Sequence, residues 1–168
     1  MPSVQLETSM GIVKLELYPE KAPITVENFL TYVREGHYDG LIFHRVIGDF
    51  AVQGGGYTEK MCIRPVNHPP IKCEADNGLK NDRGMVAMAR TDVVDSATAQ
   101  FFINTNNNKT LNHQGKDPYV YGYAVFGKVV EGMDVVNRIQ RVHTIKIGRF
   151  DDVPKEPVNI LKASVIEE

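Results

Sequence analysis

The sequence predicts a mainly β domain, a barrel or sandwich carrying two isolated helices. Three observations predict it. Seven or eight short segments alternate in polarity or run apolar, as strands do. Only two stretches repeat at the helical period, and they lie far apart, so strands and helices do not alternate as a βαβ fold requires. No internal repeat or linker divides the 168 residues, a length that suits one domain with a substantial core.

Residues 4–17 read as a hairpin. Val4-Gln5-Leu6-Glu7-Thr8 alternates, Ser9-Met10-Gly11 turns, and residues 12–17 alternate again. A helix is predicted from Ala22-Pro23, because proline suits a first helical turn where its missing N–H costs nothing. Val26, Phe29, Leu30 and Val33 then form one apolar stripe, and Gly36 stops the helix. Asn28 inside it is expected to satisfy local backbone. His37 to Gly40 is a turn. Residues 58–82 show weak periodicity and many breakers, which predicts a surface excursion with one helical turn near Glu74 to Leu79. Residues 84–89 form a buried strand, 92–98 a polar loop and 101–104 another strand. Residues 105–118 are rich in asparagine and read as an exposed loop, with Leu111 its one apolar residue before Pro118. Strand returns over 120–130, broken at Gly122. A second helix covers 133–141, with Met133, Val136 and Ile139 on one face. Residues 143–158 read as loop, and 159–166 as the final strand.

Composition excludes several classes. With 42% apolar and 24% charged residues the chain is an ordinary globule, not a disordered one. Its net charge of −2 offers no field for nucleic acid or for an acidic membrane. No apolar run approaches the roughly 18 residues of a membrane span. The N-terminal residues lack a basic start and an apolar core, so no signal peptide is expected and a cytoplasmic location is. Cys62 and Cys73 suit a reducing compartment, where a disulfide between them is not expected. Cys62, His68 and Cys73 lack a tight C-x-x-C pair, so no metal site is expected from them.

The most informative stretch is Phe43-His44-Arg45-Val46-Ile47-Gly48-Asp49-Phe50-Ala51-Val52-Gln53-Gly54-Gly55-Gly56-Tyr57. It reads as two short strands joined at Gly48-Asp49. In the first, Phe43 and Arg45 point one way and His44 and Val46 the other. Arg45 brings a permanent charge and five donors, and no acid stands beside it before Asp49. An apolar platform (Phe50), an amide (Gln53) and a fixed cation converge there, which points to a binding site. Gly54-Gly55-Gly56 lacks a following Lys-[Ser/Thr], so it reads as a tight turn and not a phosphate loop.

This segment resembles the cyclophilin-type peptidyl-prolyl isomerase signature F-H-R-[IV]-I-x-x-F-x-x-Q-G-G, matching every fixed position. Ala99-Gln100-Phe101-Phe102-Ile103-Asn104 resembles the family's [SA]-Q-F-F-I. The run from Tyr123-Ala124-Val125-Phe126-Gly127 to Gly132 resembles its V-F-G-x-V-x-x-G. Order and spacing fit from about Val4 to Val165, and Met88-Ala89-Arg90-Thr91 with Gly122-Tyr123 is most similar to the single-domain bacterial form.

The resemblance implies a closed eight-stranded antiparallel β-barrel capped by two α-helices, one domain over residues 1–168, with the active groove on the outer wall. It implies peptidyl-prolyl cis-trans isomerase activity with no cofactor or metal. Arg45 would be the electrophilic catalyst. Phe50, Ala51, Phe102 and Leu111 would line the proline pocket, with Phe101 turned to the core. Gln53 would bond the substrate backbone and steady Arg45. The backbone of Arg90 would pair with the residue before proline. Ala89, Gln100, Thr110 and Tyr123 would complete the walls, and His44 would lie at the edge. Partners would be X-Pro peptides, unfolded or partly folded proteins, and cyclosporin; a monomer is expected.

Two positions depart from the family. Ala51 stands where methionine is usual, and Thr110 where tryptophan or phenylalanine is usual. Both remove apolar bulk, and two or three lost methylenes at ~0.8 kcal/mol each would weaken peptide and cyclosporin binding by roughly 1–2 kcal/mol unless neighbours fill the gap. A non-catalytic peptide-binding module is the first rival, motivated by these departures. A hydrolase or metal enzyme built on Ser96, His113 and Asp117 is the second, and no nucleophile elbow or H-E-x-x-H accompanies them.

Overall fold

The alternation at the N-terminus builds a hairpin. In the computed structural model, which describes residues 1–167, β1 (Ser3–Thr8) pairs antiparallel with β2 (Gly11–Leu17). Val4 faces Leu15 and Leu6 faces Val13, and all four are fully buried. The remaining strands are β3 (Arg45–Ile47), β4 (Ala51–Gly54), β5 (Met85–Met88), β6 (Phe101–Asn104), β7 (Val125–Glu131), β8 (Thr144–Ile147), β9 (Phe150–Pro154) and β10 (Ile160–Glu167). Eight of them form one sheet in the order β10-β1-β2-β7-β5-β6-β4-β3.

The sheet curls into a half-barrel, which corrects the expected closed barrel. Its end strands, β10 and β3, share no ladder. The stretch leading into β3 meets the stretch leading into β10 at one bridge, Ile42 to Asn159. Three backbone bonds support it: Gly40 N–H to Ile160 O (2.8 Å), Ile160 N–H to Leu41 O (2.7 Å) and Phe43 N–H to Val158 O (3.0 Å). Regular pairing goes no further there because β3 is only three residues long and turns at once into β4.

The first helix, α1, spans Pro23–Arg34, with Pro23 in its first turn. Val26, Phe29, Leu30 and Val33 are all buried on its inner stripe. Phe29 packs against the rings of Tyr38, Phe101 and Phe126 at 5.3, 5.4 and 5.0 Å. Ala22 at its N-cap offers no side-chain acceptor. Buried Glu74 takes that role from the surface excursion. Its carboxylate accepts from Thr25 N–H (2.7 Å), Thr25 Oγ1–H (2.7 Å) and Ile24 N–H (3.3 Å). The predicted helical turn at Glu74 is a simple turn closed by Asn77 N–H to Glu74 O (3.2 Å). Asn28 does not satisfy local backbone; it donates to Thr98 O at 2.7 Å and ties α1 to the loop before β6. The second helix, α2, spans Met133–Ile139 and packs on β2.

Two further differences concern loops. Residues 120–124 are not strand; β7 begins at Val125. Residues 144–154, expected as loop, form the β8–β9 hairpin around Gly148, whose φ of +58° permits the tight turn. Among the described residues no helix is long and apolar enough to cross a membrane.

Strand parity separates two apolar layers. Phe101, Ile103, Val52, Val46 and Val86 join the main core inside the curl. Phe102, Ala51, Ala87 and Val125 form a second cluster on the opposite face, joined by half-buried Phe50, Leu111 and Tyr123. That outer cluster carries the site.

Candidate active site

The outer face is set by register. Arg45 on β3 lies opposite Gln53 on β4, Gln53 lies opposite Phe102 on β6, and Phe102 lies opposite Ala87 on β5. Alternation therefore brings a cation, an amide and a ring to one surface. The segment 109–111, a single 3₁₀ turn, lays Leu111 beside them. Gly122 lets the chain pass closely: its φ is +88°, and a Cβ there would stand 2.6 Å from the backbone nitrogen of His113.

The result is an open hollow of about 240 Å³. Phe50, Ala51, Phe102 and Leu111 give it an apolar floor; Arg45, Gln53, Ala89, Arg90 and Tyr123 rim it. The lining holds two arginines and no carboxylate. Arg45 is exposed and donates through Nη1 to Gln53 Oε1 at 3.4 Å. Gln53 Nε2 in turn donates to Gln100 Oε1 at 3.1 Å. The Tyr123 ring meets Phe102 edge-on at 5.7 Å. The Arg90 guanidinium lies over the Tyr123 ring, 4.8 Å from its centre. Arg90 also donates to Gly122 O (2.9 Å), Thr91 O (2.8 Å) and Pro118 O (3.1 Å), which pins the chain before Tyr123.

Of the predicted site residues, the structure gathers Arg45, Phe50, Ala51, Gln53, Ala89, Arg90, Phe102, Leu111 and Tyr123 around this hollow. Gln100 lines an adjoining groove with Thr91, Ser96 and Thr98. Thr110 is exposed and lines neither. His44 is not in the hollow either. It is buried against Tyr57, ring centres 4.6 Å apart, and its pKa falls to about 4 through burial first and the neighbouring Arg45 charge second. Phe43 does not share the Arg45 face, since it belongs to the core while Arg45 is exposed; β3 begins only at Arg45.

The residues of the hydrolase reading are each engaged elsewhere. Ser96 Oγ donates to Val93 O (2.6 Å), His113 Nδ1 bonds Tyr121 O (2.7 Å), and Asp117 Oδ1 accepts from Tyr119 N–H (2.9 Å). His68, considered and set aside as a metal ligand, is paired with Glu35 at 2.8 Å.

Sequence reasoning missed what lies beneath. Asn81, Asn104 and Asn108 are buried, although Asn81 belongs to the expected surface excursion and Asn108 to the expected exposed loop; Asn104 ends the expected strand. The only signal was asparagine density, which solvated loops share.

Comparison with known proteins agrees with this geometry. The family described as cyclophilin type peptidyl-prolyl cis-trans isomerase/CLD matches residues 3–165. The chain is 55% identical over 166 residues to peptidyl-prolyl cis-trans isomerase cyp18 of Streptomyces antibioticus, covering 99% of both. It is 50% identical to peptidyl-prolyl cis-trans isomerase B of Escherichia coli, covering 98% of this chain and 99% of that one. A crystal structure of a Cryptosporidium parvum cyclophilin type isomerase, solved in the presence of the dipeptide Ala-Pro, superposes with a TM-score of 0.79 at 25% identity, covering 99% of both chains. A half-barrel with an arginine beside an outer apolar hollow is thus the scaffold of an isomerase. The chain belongs to the cyclophilin-type peptidyl-prolyl cis-trans isomerase family.

Proposed function

We propose that the hollow takes the proline ring of an X-Pro segment and that Arg45 speeds rotation about the bond entering it, with no covalent intermediate. Amide resonance raises that rotation barrier to ~18–20 kcal/mol. Before proline the cis and trans forms are close in energy, yet they exchange over tens of seconds or longer. Rotation needs neither a nucleophile nor a proton leaving. In the twisted state the imide nitrogen regains a lone pair, so a donor aimed at it favours that state over the planar ones. Arg45 is such a donor. One charge-assisted hydrogen bond, about 1.5–3 kcal/mol, supplies roughly 10- to 100-fold. The remainder is assigned to clamping the peptide on either side and to exclusion of water by Phe50, Phe102 and Leu111.

The carrying observation is the Arg45 guanidinium at the rim of an apolar hollow whose floor includes Phe102. The Ala-Pro dipeptide present with the Cryptosporidium relative supports a proline-sized occupant. Clients would be X-Pro peptides and unfolded or partly folded proteins, handled by a single cytoplasmic domain that works as a monomer, and cyclosporin binding would be weakened by Ala51 and Thr110. A coupled isomerisation assay on a short X-Pro peptide tests the reading, with wild type beside Arg45→Ala. Turnover should fall at least tenfold in the variant. Equal rates would refute the mechanism, and no acceleration by wild type would make the chain a peptide-binding module.

A further inference from the structure

Three asparagine amides form a continuous chain beneath the hollow. Asn104 ends β6, opposite Ala51, and is fully buried; Asn81 is 1% and Asn108 8% exposed. Asn108 Nδ2 donates to Asn104 Oδ1 (2.8 Å), and Asn104 Nδ2 donates to Asn81 Oδ1 (3.0 Å). Each amide has two N–H groups, and every one has an acceptor. The second hydrogen of Asn108 goes to Phe50 O (2.8 Å) and that of Asn104 to Met85 O (3.1 Å). Asn81 spends both of its own on Leu111 O (3.0 Å) and Tyr123 O (3.3 Å).

The ends of this chain are therefore backbone carbonyls of hollow residues. Phe50, Leu111 and Tyr123 come from three separate segments, none of them strand. We infer that Asn104, Asn81 and Asn108 act as positioning residues that hold Phe50, Leu111 and Tyr123 at one spacing and so set the shape of the proline pocket. The inference rests on the hollow being the peptide site. Arg45 and Gln53 sit on the β3–β4 ladder and have their own bond, so the amide chain bears on the pocket and not on the catalytic cation.

Polarity matters as much as size. Aspartate has the shape of asparagine, yet when ionised it offers only acceptors. At position 104 it would face Asn81 Oδ1 and Met85 O with no hydrogen between. Protonated, it regains one donor, and a carboxyl so buried takes up its proton well above the usual carboxylate pKa.

The test measures KM and kcat of Asn104→Asp and Asn104→Ala on a short Ala-Pro peptide, far below the unfolding midpoint, from about pH 8 to about pH 6. In Asn104→Asp the KM should rise about tenfold at the alkaline end, with kcat within about twofold, and recover on acidification. Asn104→Ala should lose affinity without recovery. A purely structural role would lower the unfolding midpoint and leave the KM of the folded enzyme alone, and that result would overturn the inference. If Asn104→Asp does not fold, Asn108→Ala decides: Phe50 O keeps the Thr105 N–H (2.9 Å) but loses the amide that ties it to Asn104, which should raise KM about threefold, and an unchanged KM refutes the claim. Phe102→Ala is run in parallel. If it leaves KM untouched, the peptide site itself is misassigned; if it raises KM while the asparagine variants do not, only the amide chain is.

Discussion

Arg45 and Gln53 stand directly opposite each other on β3 and β4, and Arg45 Nη1 donates to Gln53 Oε1 across 3.4 Å. The bond is long, and Gln53 is itself held by Gln100 at 3.1 Å. A guanidinium on an exposed long side chain otherwise samples many rotamers. Gln53→Leu keeps the volume and removes the acceptor. Turnover should then fall about 10-fold, because a donor that must be ordered during the reaction loses the benefit of prior placement. Peptide affinity should fall less. A coupled assay gives kcat/KM and peptide titration gives Kd; a variant that loses affinity alone would assign Gln53 to the substrate backbone only.

Ala51 lies on the outer face of β4, in the cluster with Phe102 and Phe50, and is 6% exposed. The hollow beside it is open, about 240 Å³. Ala51→Met extends apolar surface into that space. Two added methylene equivalents, partly covered by a bound proline, should tighten peptide binding by about 1 kcal/mol, roughly fivefold, with little change in turnover. Calorimetric titration of wild type and variant with one peptide checks this. Unchanged affinity would mean that this wall does not touch the ligand.

Much of this arrangement is written in local pattern. Parity puts Phe101 and Phe102 on opposite faces, the family resemblance turns Phe101 inward, and the stripe of Val26, Phe29, Leu30 and Val33 defines the buried face of α1. What escapes pattern is polar burial. Asn81 and Asn108 look like loop residues because asparagine is usually solvated, yet here each amide finds partners far along the chain. The β8–β9 hairpin escapes for the opposite reason. Lys146, Arg149 and Asp151 are exposed, and the Thr144-Ile145-Lys146-Ile147 alternation is only four residues long, too short to stand out in a charged segment. Closure of the barrel was inferred from likeness to a family, and the short β3 does not extend the ladder to β10. Which groups share a site was legible only where one motif held them together. Glu74 capping a helix some fifty residues away was not.

That cap should be measurable. Glu74 accepts from two backbone N–H groups and the Thr25 hydroxyl at the positive end of α1. Glu74→Ala leaves buried donors without an acceptor, which should cost about 2–3 kcal/mol and lower the unfolding midpoint by roughly 5–10 °C. Glu74→Gln, which retains one acceptor, should lose less. Isomerase activity per folded molecule should not change, because Glu74 lies outside the hollow. Urea unfolding and the coupled assay together separate the two effects.

The pH dependence of stability should carry the mark of His44. Its pKa is lowered to about 4 by burial and then by the Arg45 charge, against 6.5 for a free imidazole. Between those values the unfolded chain binds a proton that the folded chain does not, so stability rises with pH in that window. Its contribution is complete above about pH 6.5 and is lost as pH falls toward about 4, a swing on the order of 3 kcal/mol. His44→Gln cannot titrate. Denaturant unfolding from about pH 8 to about pH 4.5 should therefore show a shallower acid decline in the variant. Some decline should persist, because burial also lowers the pKa of His37. Turnover near neutrality should be flat in wild type, since His44 is already uncharged there and Arg45 stays charged. Parallel stability curves for the two proteins would show that His44 titrates normally and that its burial against Tyr57 is not what separates folded from unfolded in acid.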